Sequence, residues 1–294
     1  MRNKFKGTGV AIVTPFRKYG TIDFGSLEKL LEHIISNGVD YVVVLGTTGE
    51  AVTLTHDEKN AVIDFVYDTV DGRIPVVIGV GGNNTEHVIK DLRSLNLSKG
   101  DAILSVTPYY NKPQPKGLYN HFKNIASASP LPVILYNVPG RTGANIPADI
   151  TLQLAYDIES IIAIKEASGN LPQIETIINE RPDEFAVLSG DDGLTLPLLA
   201  LGADGVISVT ANVYPAAFSS MVKKALDNDF AKAREMHYKL KNVMDALFAD
   251  GNPAGVKAAL DTIGLIHNNL RLPLVKVNKS VNNQIKKVIE EFGS

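Results

Sequence analysis

Short apolar runs recur along the chain at fairly even intervals: residues 10–16, 41–46, 76–81, 102–107, 133–138, 161–167, 185–190 and 205–210. Each is rich in Val and Ile, and most are apolar on both faces. That is the pattern of parallel strands covered on both sides. Most of the intervals between them change to a helical period. Residues 24–37 place Leu27, Leu30, Leu31, Ile34 and Ile35 on one face, and residues 57–69 do the same with Val62, Phe65 and Val66. Ser36-Asn37-Gly38 supplies a helix stop, with glycine just past the end. After the eighth run the pattern is helical throughout, over 216–228, 230–249, 253–265 and 277–292.

Eight strands alternating with helices predict an α/β fold of the (β/α)8 TIM-barrel type. The expected division is a barrel over 1–225 and a helical extension over 226–294, with about three additional C-terminal helices. A doubly wound open sheet is the competing architecture. It is disfavoured by the number of strands and by the lack of a Gly-x-Gly-x-x-Gly turn after the first.

Composition narrows the chemistry. The 294 residues are 45% hydrophobic, enough for a sizeable core, and carry a net charge of −3. No basic excess points to nucleic acid or an anionic membrane surface. There are no cysteines, which removes disulfides, thiol catalysis and thiolate metal sites. No apolar signal core follows Met1-Arg2-Asn3-Lys4, and no stretch reaches the roughly 18 apolar residues of a membrane span. A cytoplasmic protein is expected. The six histidines lack ligand-type spacing, so no metal is expected. Gly79-Val80-Gly81-Gly82 lacks the Gly-Lys-Ser/Thr ending of a phosphate loop.

Against that background Lys165 stands out, inside Ile161-Ile162-Ala163-Ile164-Lys165-Glu166-Ala167. Lysine is rarely buried unless it is paired or used. A solvated strand-end lysine or an ion pair with Glu166 is the structural alternative. Burial in general penalises an ammonium, and a neutral amine is what Schiff-base chemistry with a carbonyl requires. Strand ends elsewhere carry matching groups. These are Gly46-Thr47-Thr48-Gly49-Glu50, Thr107-Pro108-Tyr109-Tyr110-Asn111-Lys112-Pro113, Tyr136-Asn137-Val138-Pro139-Gly140-Arg141-Thr142, and Ser189-Gly190-Asp191-Asp192. Each has an ordinary reading as cap, loop aromatic or rim ion pair. Their convergence on one end of the predicted barrel favours a site. Tyr136 on the preceding strand suits proton transfer beside the amine. Thr47 and a second tyrosine suit a relay. Arg141 offers a fork for a carboxylate, and the Gly46–Gly49 amides, at a helix start, offer a second anchor. An α-keto acid fits such a site.

These segments, in this order, resemble the family of pyruvate-dependent class I aldolases and lyases that includes dihydrodipicolinate synthase and N-acetylneuraminate lyase. The likeness covers nearly the whole chain. Thr47-Thr48 and the Tyr-Tyr-Asn-Lys-Pro segment set it apart from the neuraminate branch, which usually has serine in the first motif. The resemblance implies a lyase of lysine and diaminopimelate biosynthesis. It condenses pyruvate with L-aspartate 4-semialdehyde through a lysine Schiff base, giving 4-hydroxy-tetrahydrodipicolinate. Another pyruvate aldolase, acting on a 2-keto-3-deoxy sugar acid or on N-acetylneuraminate, is the alternative. The implied roles are imine formation at Lys165 and a relay of Thr47, Tyr136 and Tyr110, with Tyr110 entering the neighbouring subunit's site. Thr48 is implied to hold the pyruvate carboxylate and Arg141 that of the aldehyde, while Gly190 and Ile207 line the pocket. No cofactor is implied, and a homotetramer of tight dimers is. At the positions of the family's lysine-effector pocket stand Ala51, Lys59, Asn83, His87 and Tyr109, with His56 nearby. His87 replaces a carboxylate and Lys59 adds a positive charge, so weak or absent lysine inhibition is expected.

Overall fold

The computed structural model describes residues 2–293. Eight parallel strands close in sequence order: β1 (Gly7–Ala11), β2 (Tyr41–Val44), β3 (Val76–Gly79), β4 (Ala102–Val106), β5 (Val133–Asn137), β6 (Ile161–Glu166), β7 (Ala186–Ser189) and β8 (Gly205–Ser208). Closure comes from β1 on β8, with Gly7 opposite Gly205 and Val10 opposite Ser208. The outer ring is α1 (Phe24–Ser36), α2 (His56–Val70), α3 (Thr85–Ser94), α4 (Pro115–Ala128), α5 (Pro139–Thr142), α6 (Ala148–Asp157), α7 (Leu171–Glu180), α8 (Thr195–Ala200) and α9 (Pro215–Leu226). Then α10 (Phe230–Phe248), α11 (Ala254–Thr262) and α12 (Lys279–Phe292) follow, with α10 packed on α9 and α12. The expected barrel and three further helices are both present. Among the described residues, no helix is long and apolar enough to cross a membrane.

One strand lies elsewhere than its apolar run. β1 occupies Gly7–Ala11, and residues 12–16 form no strand. The cause is space. A Cβ on Gly9 would lie 2.1 Å from the Tyr41 ring, and one on Gly205 would lie 2.2 Å from the Gly7 carbonyl oxygen. Tyr41 fills the lower barrel, its hydroxyl donating to Val206 O at 3.1 Å and its ring edge-on to Phe5. β1 must therefore be small where a sequence search looks for bulk.

The apolar residues divide between two shells. One inner cluster includes Ala11, Val43, Leu104, Ile134, Ala163, Leu188 and Ile207, while a larger outer cluster joins strand backs to helices. Caps fix the helix starts: Asp23 accepts from Ser26 N at α1, and Thr55 with Glu58 forms a reciprocal capping box at α2. Gly38, with φ +79°, follows the end of α1.

The two rims are stitched differently. At the N-terminal rim, carboxylates accept strand amides: Asp40 from Thr8 at 2.7 Å, Asp101 from Val76 at 2.7 Å and Asp204 from Val187 at 2.9 Å. At the opposite rim, fully buried side chains bind the loops. Asp192 accepts from the amides of Val209 and Thr210 and from the Thr210 hydroxyl. Asn212 donates to Ala11 O and accepts from Val13 N.

Candidate active site

β5 and β6 run side by side with Tyr136 opposite Lys165. Alternation then decides which way each side chain goes. Lys165 shares its parity with Ala163, which belongs to the inner cluster, and its Nζ sits 4.3 Å from the Tyr136 ring centroid. A Cβ on Gly190 would come within 3.1 Å of Lys165 Cε, so a side chain there would crowd the lysine. Lys165 is 5% exposed and has no hydrogen bond or ion pair among the described residues.

Glu166 takes the other face. Its carboxylate accepts from Asn137, from the Ser168 amide and hydroxyl, and from Gln173. Asn137 in turn accepts from Ile146 N at 3.0 Å. This network ties the residue after Tyr136 to the residue after Lys165. Burial raises the Glu166 carboxyl above its ordinary value, against those hydrogen bonds. Glu166 is thus not the ion-pair partner of Lys165.

A cavity of about 560 Å³ opens at the C-terminal end of the barrel, and Thr47, Tyr136, Arg141 and Asn252 line it. Lys165, Thr48, Gly190 and Ile207 do not line it. Tyr136 connects Lys165 to it, Gly190 lies beside Lys165, Asn252 connects Thr48 to it, and Ile207 shares the inner cluster with Tyr136. The far part of the same cavity is lined by Ala51, Lys59, Asn83, His87 and Tyr109, but not by His56. Tyr110 stands apart: it is 85% exposed, with φ +78° and its amide on Thr142 O at 3.3 Å. Among the described residues no group of three His, Cys, Asp or Glu side chains is placed to hold a metal ion.

The Gly46–Glu50 segment differs from its expected form. It is a pair of turns, with Gly49 N on Gly46 O and Glu50 N on Thr47 O, leading into a 3-10 turn at Ala51–Thr53 rather than an α-helix. The amides of Gly46, Thr47 and Thr48 have no bond among the described residues, so three of the four expected anchor amides are unengaged. Thr14 holds the segment from below by donating its hydroxyl to Gly49 O at 2.7 Å.

Two site-supporting groups escaped the sequence reading. Asn252 donates to Thr48 Oγ1 at 2.9 Å, and its carbonyl accepts from Arg141 Nη2 at 3.2 Å. Lys257, fully buried on α11, pairs with Glu50, donates to Asn269 O at 3.0 Å and lies 4.2 Å from the Phe16 ring centroid. Burial pulls the Lys257 ammonium down to about 8, with the Glu50 charge acting in the opposite direction. Sequence offered a weak cue to Asn252 in the Gly-Asn-Pro turn, and none to its partner.

The model of the dihydrodipicolinate synthetase family matches residues 4–292. The chain belongs to that family. The 4-hydroxy-tetrahydrodipicolinate synthase of Parabacteroides distasonis is 50% identical over 288 residues, spanning 98% of this chain and 97% of the relative. The crystal structure of dihydrodipicolinate synthase (DHDPS) from Aquifex aeolicus superposes with a TM-score of 0.95 at 41% identity, covering 98% of each chain. The lysine-bound DHDPS of Cyanidioschyzon merolae gives a TM-score of 0.95 at 39% identity over 99% of each chain. The chain is therefore an enzyme of this family on the family's barrel.

Proposed function

We propose that this enzyme acts as a 4-hydroxy-tetrahydrodipicolinate synthase in lysine and diaminopimelate biosynthesis, with Lys165 as its nucleophile. The observation that carries the mechanism is a buried lysine with no ionic partner among the described residues, packed against a tyrosine ring. The amine adds to the keto carbon of pyruvate, and water leaves to give the imine. Tyr136 moves the protons that carbinolamine formation and breakdown require. Loss of a methyl proton gives the enamine, whose carbon attacks the aldehyde carbon of L-aspartate 4-semialdehyde. The substrate's own amine then adds to the imine carbon, closes the ring and releases Lys165. Thr48 holds the pyruvate carboxylate and Arg141 that of the aldehyde. Gly190 leaves room beside the lysine, and Ile207 completes the apolar wall.

The relay runs from Tyr136 through Thr47 to Tyr110 of a neighbouring subunit. Its support is that Tyr110 projects out of its own chain in a left-handed conformation uncommon for tyrosine. Val52 and Leu272, 86% and 79% exposed, supply apolar surface for a tight dimer, and two such dimers form the tetramer. The enzyme works in the cytoplasm, as its biosynthetic role and cysteine-free sequence suggest. A sugar-acid aldolase is not favoured, since the relatives at 43–51% identity carry the synthase name.

Pyruvate with borohydride, followed by mass spectrometry, tests the mechanism. A reduced adduct on Lys165 is expected, and a failure to trap pyruvate there would sink it. Lysine is expected to inhibit weakly or not at all, because Lys59 and His87 line the far cavity where the ligand ammonium needs a carboxylate. Strong inhibition in a millimolar lysine titration would contradict this.

A further inference from the structure

Asn252 lies on the loop between α10 and α11, is 8% exposed and lines the cavity. It touches both groups assigned above to substrate carboxylates. Its Nδ2 donates to Thr48 Oγ1, and its main-chain oxygen accepts from Arg141. Direction matters here. A threonine hydroxyl has one proton to give. Because Thr48 accepts from Asn252, its proton stays free to donate. Asn252 Oδ1 is meanwhile buried without a hydrogen-bond partner among the described residues. The opposite amide orientation would pair that oxygen with the Thr48 proton, remove the donor and leave Nδ2 as the unpaired atom instead. Buried polar groups are nearly always paired, and an unpaired one calls for a reason. Keeping Thr48 a donor is such a reason.

We propose that Asn252 is a positioning residue that fixes the hydrogen-bond polarity of Thr48, reserving its proton for a substrate carboxylate, and that its carbonyl ties Arg141 to the same point. The inference rests on reading Thr48 as the pyruvate-carboxylate donor.

The test reads the pyruvate concentration that gives half-maximal borohydride trapping at Lys165. Asn252→Ala removes one hydrogen bond and is expected to raise that concentration about five- to tenfold, with full trapping at saturation. Asn252→Asp keeps the shape but takes up the Thr48 proton and adds like charge. Its defect should be larger, and should shrink as pH falls towards protonation of the new carboxyl. Thr48→Val combined with Asn252→Ala should bind pyruvate no worse than Thr48→Val alone, because the two act as a unit. If the alanine variant does not fold, the aspartate variant and its pH profile carry the test. Wild-type half-saturation in Asn252→Asp, or additive losses in the double variant, would overturn the inference and leave the Schiff-base mechanism standing. Wild-type enzyme that traps no pyruvate would instead overturn the mechanism on which it rests.

Discussion

Two lysines are buried among the described residues, in opposite circumstances. Lys257, in the C-terminal helices, has a carboxylate, a carbonyl and an aromatic face around it. Lys165, in the barrel, has a tyrosine ring and no ionic partner among the described residues. Burial is common to both, so burial does not tell them apart. Completeness of pairing does. A lysine surrounded by acceptors is fixed in place, whereas one left without them is available to a substrate. The difference also separates the two regions: the barrel presents the unpaired lysine proposed as nucleophile, and the C-terminal helices brace the Gly46–Glu50 loop.

The sharpest way to break the comparison is to replace each lysine with methionine. Lys165→Met should lower turnover by a thousandfold or more, since it removes the proposed nucleophile. Its stability should stay level or rise, because an unpaired buried amine is exchanged for an apolar chain. Steady-state rates and urea midpoints read both. Lys257→Met should do the reverse in stability, losing about 3–5 kcal/mol, because it strands the Glu50 carboxylate in the interior. Adding Glu50→Gln should return part of that loss. Equal stability losses for the two lysine variants would erase the distinction.

A third buried base sharpens it further. His121, on α4, is 5% exposed, its Nδ1 lies 2.8 Å from the Thr85 hydroxyl, and its Nε2 has no partner among the described residues. Burial pushes its pKa from 6.5 down to about 4. Above pH 6.5 it is neutral whether the chain is folded or unfolded. Between 6.5 and about 4 the unfolded chain takes up a proton and the folded one does not. Stability should therefore fall with pH across that window, by at most about 3 kcal/mol from this residue. Wild type should lose that increment relative to His121→Gln in denaturant titrations at pH 7 and pH 4. Parallel pH profiles would show that His121 does not carry it.

Much of the barrel was legible because Val- and Ile-rich runs between helical periods are a local signal. β1 lies elsewhere for the same reason: Gly9 is small to make room for Tyr41 and Gly7 to make room for Asp40, and nothing near them in sequence says so. Lys165 was legible as a charge inside an apolar run. Tyr136 and Glu166 followed from alternation along neighbouring strands. The bracing groups were not legible, because their partners are so remote. Asn252 and Thr48 are 204 residues apart, and Lys257 and Glu50 are 207 apart. Within its own helix Lys257 looks like any surface lysine, and only the folded chain reveals its carboxylate. The form of the Gly46–Glu50 segment was hidden similarly, since glycine and threonine suit both a helix start and the turns found.

Those long separations also set an order in time. A ribosome adds roughly 5–20 residues each second, so the strand bearing Lys165 emerges on the order of ten seconds before Asn252 does. Through that interval Thr48 and Glu50 lack the partners that hold them. On the proposed mechanism, a chain released before Asn252 is made should contain Lys165 yet capture little pyruvate.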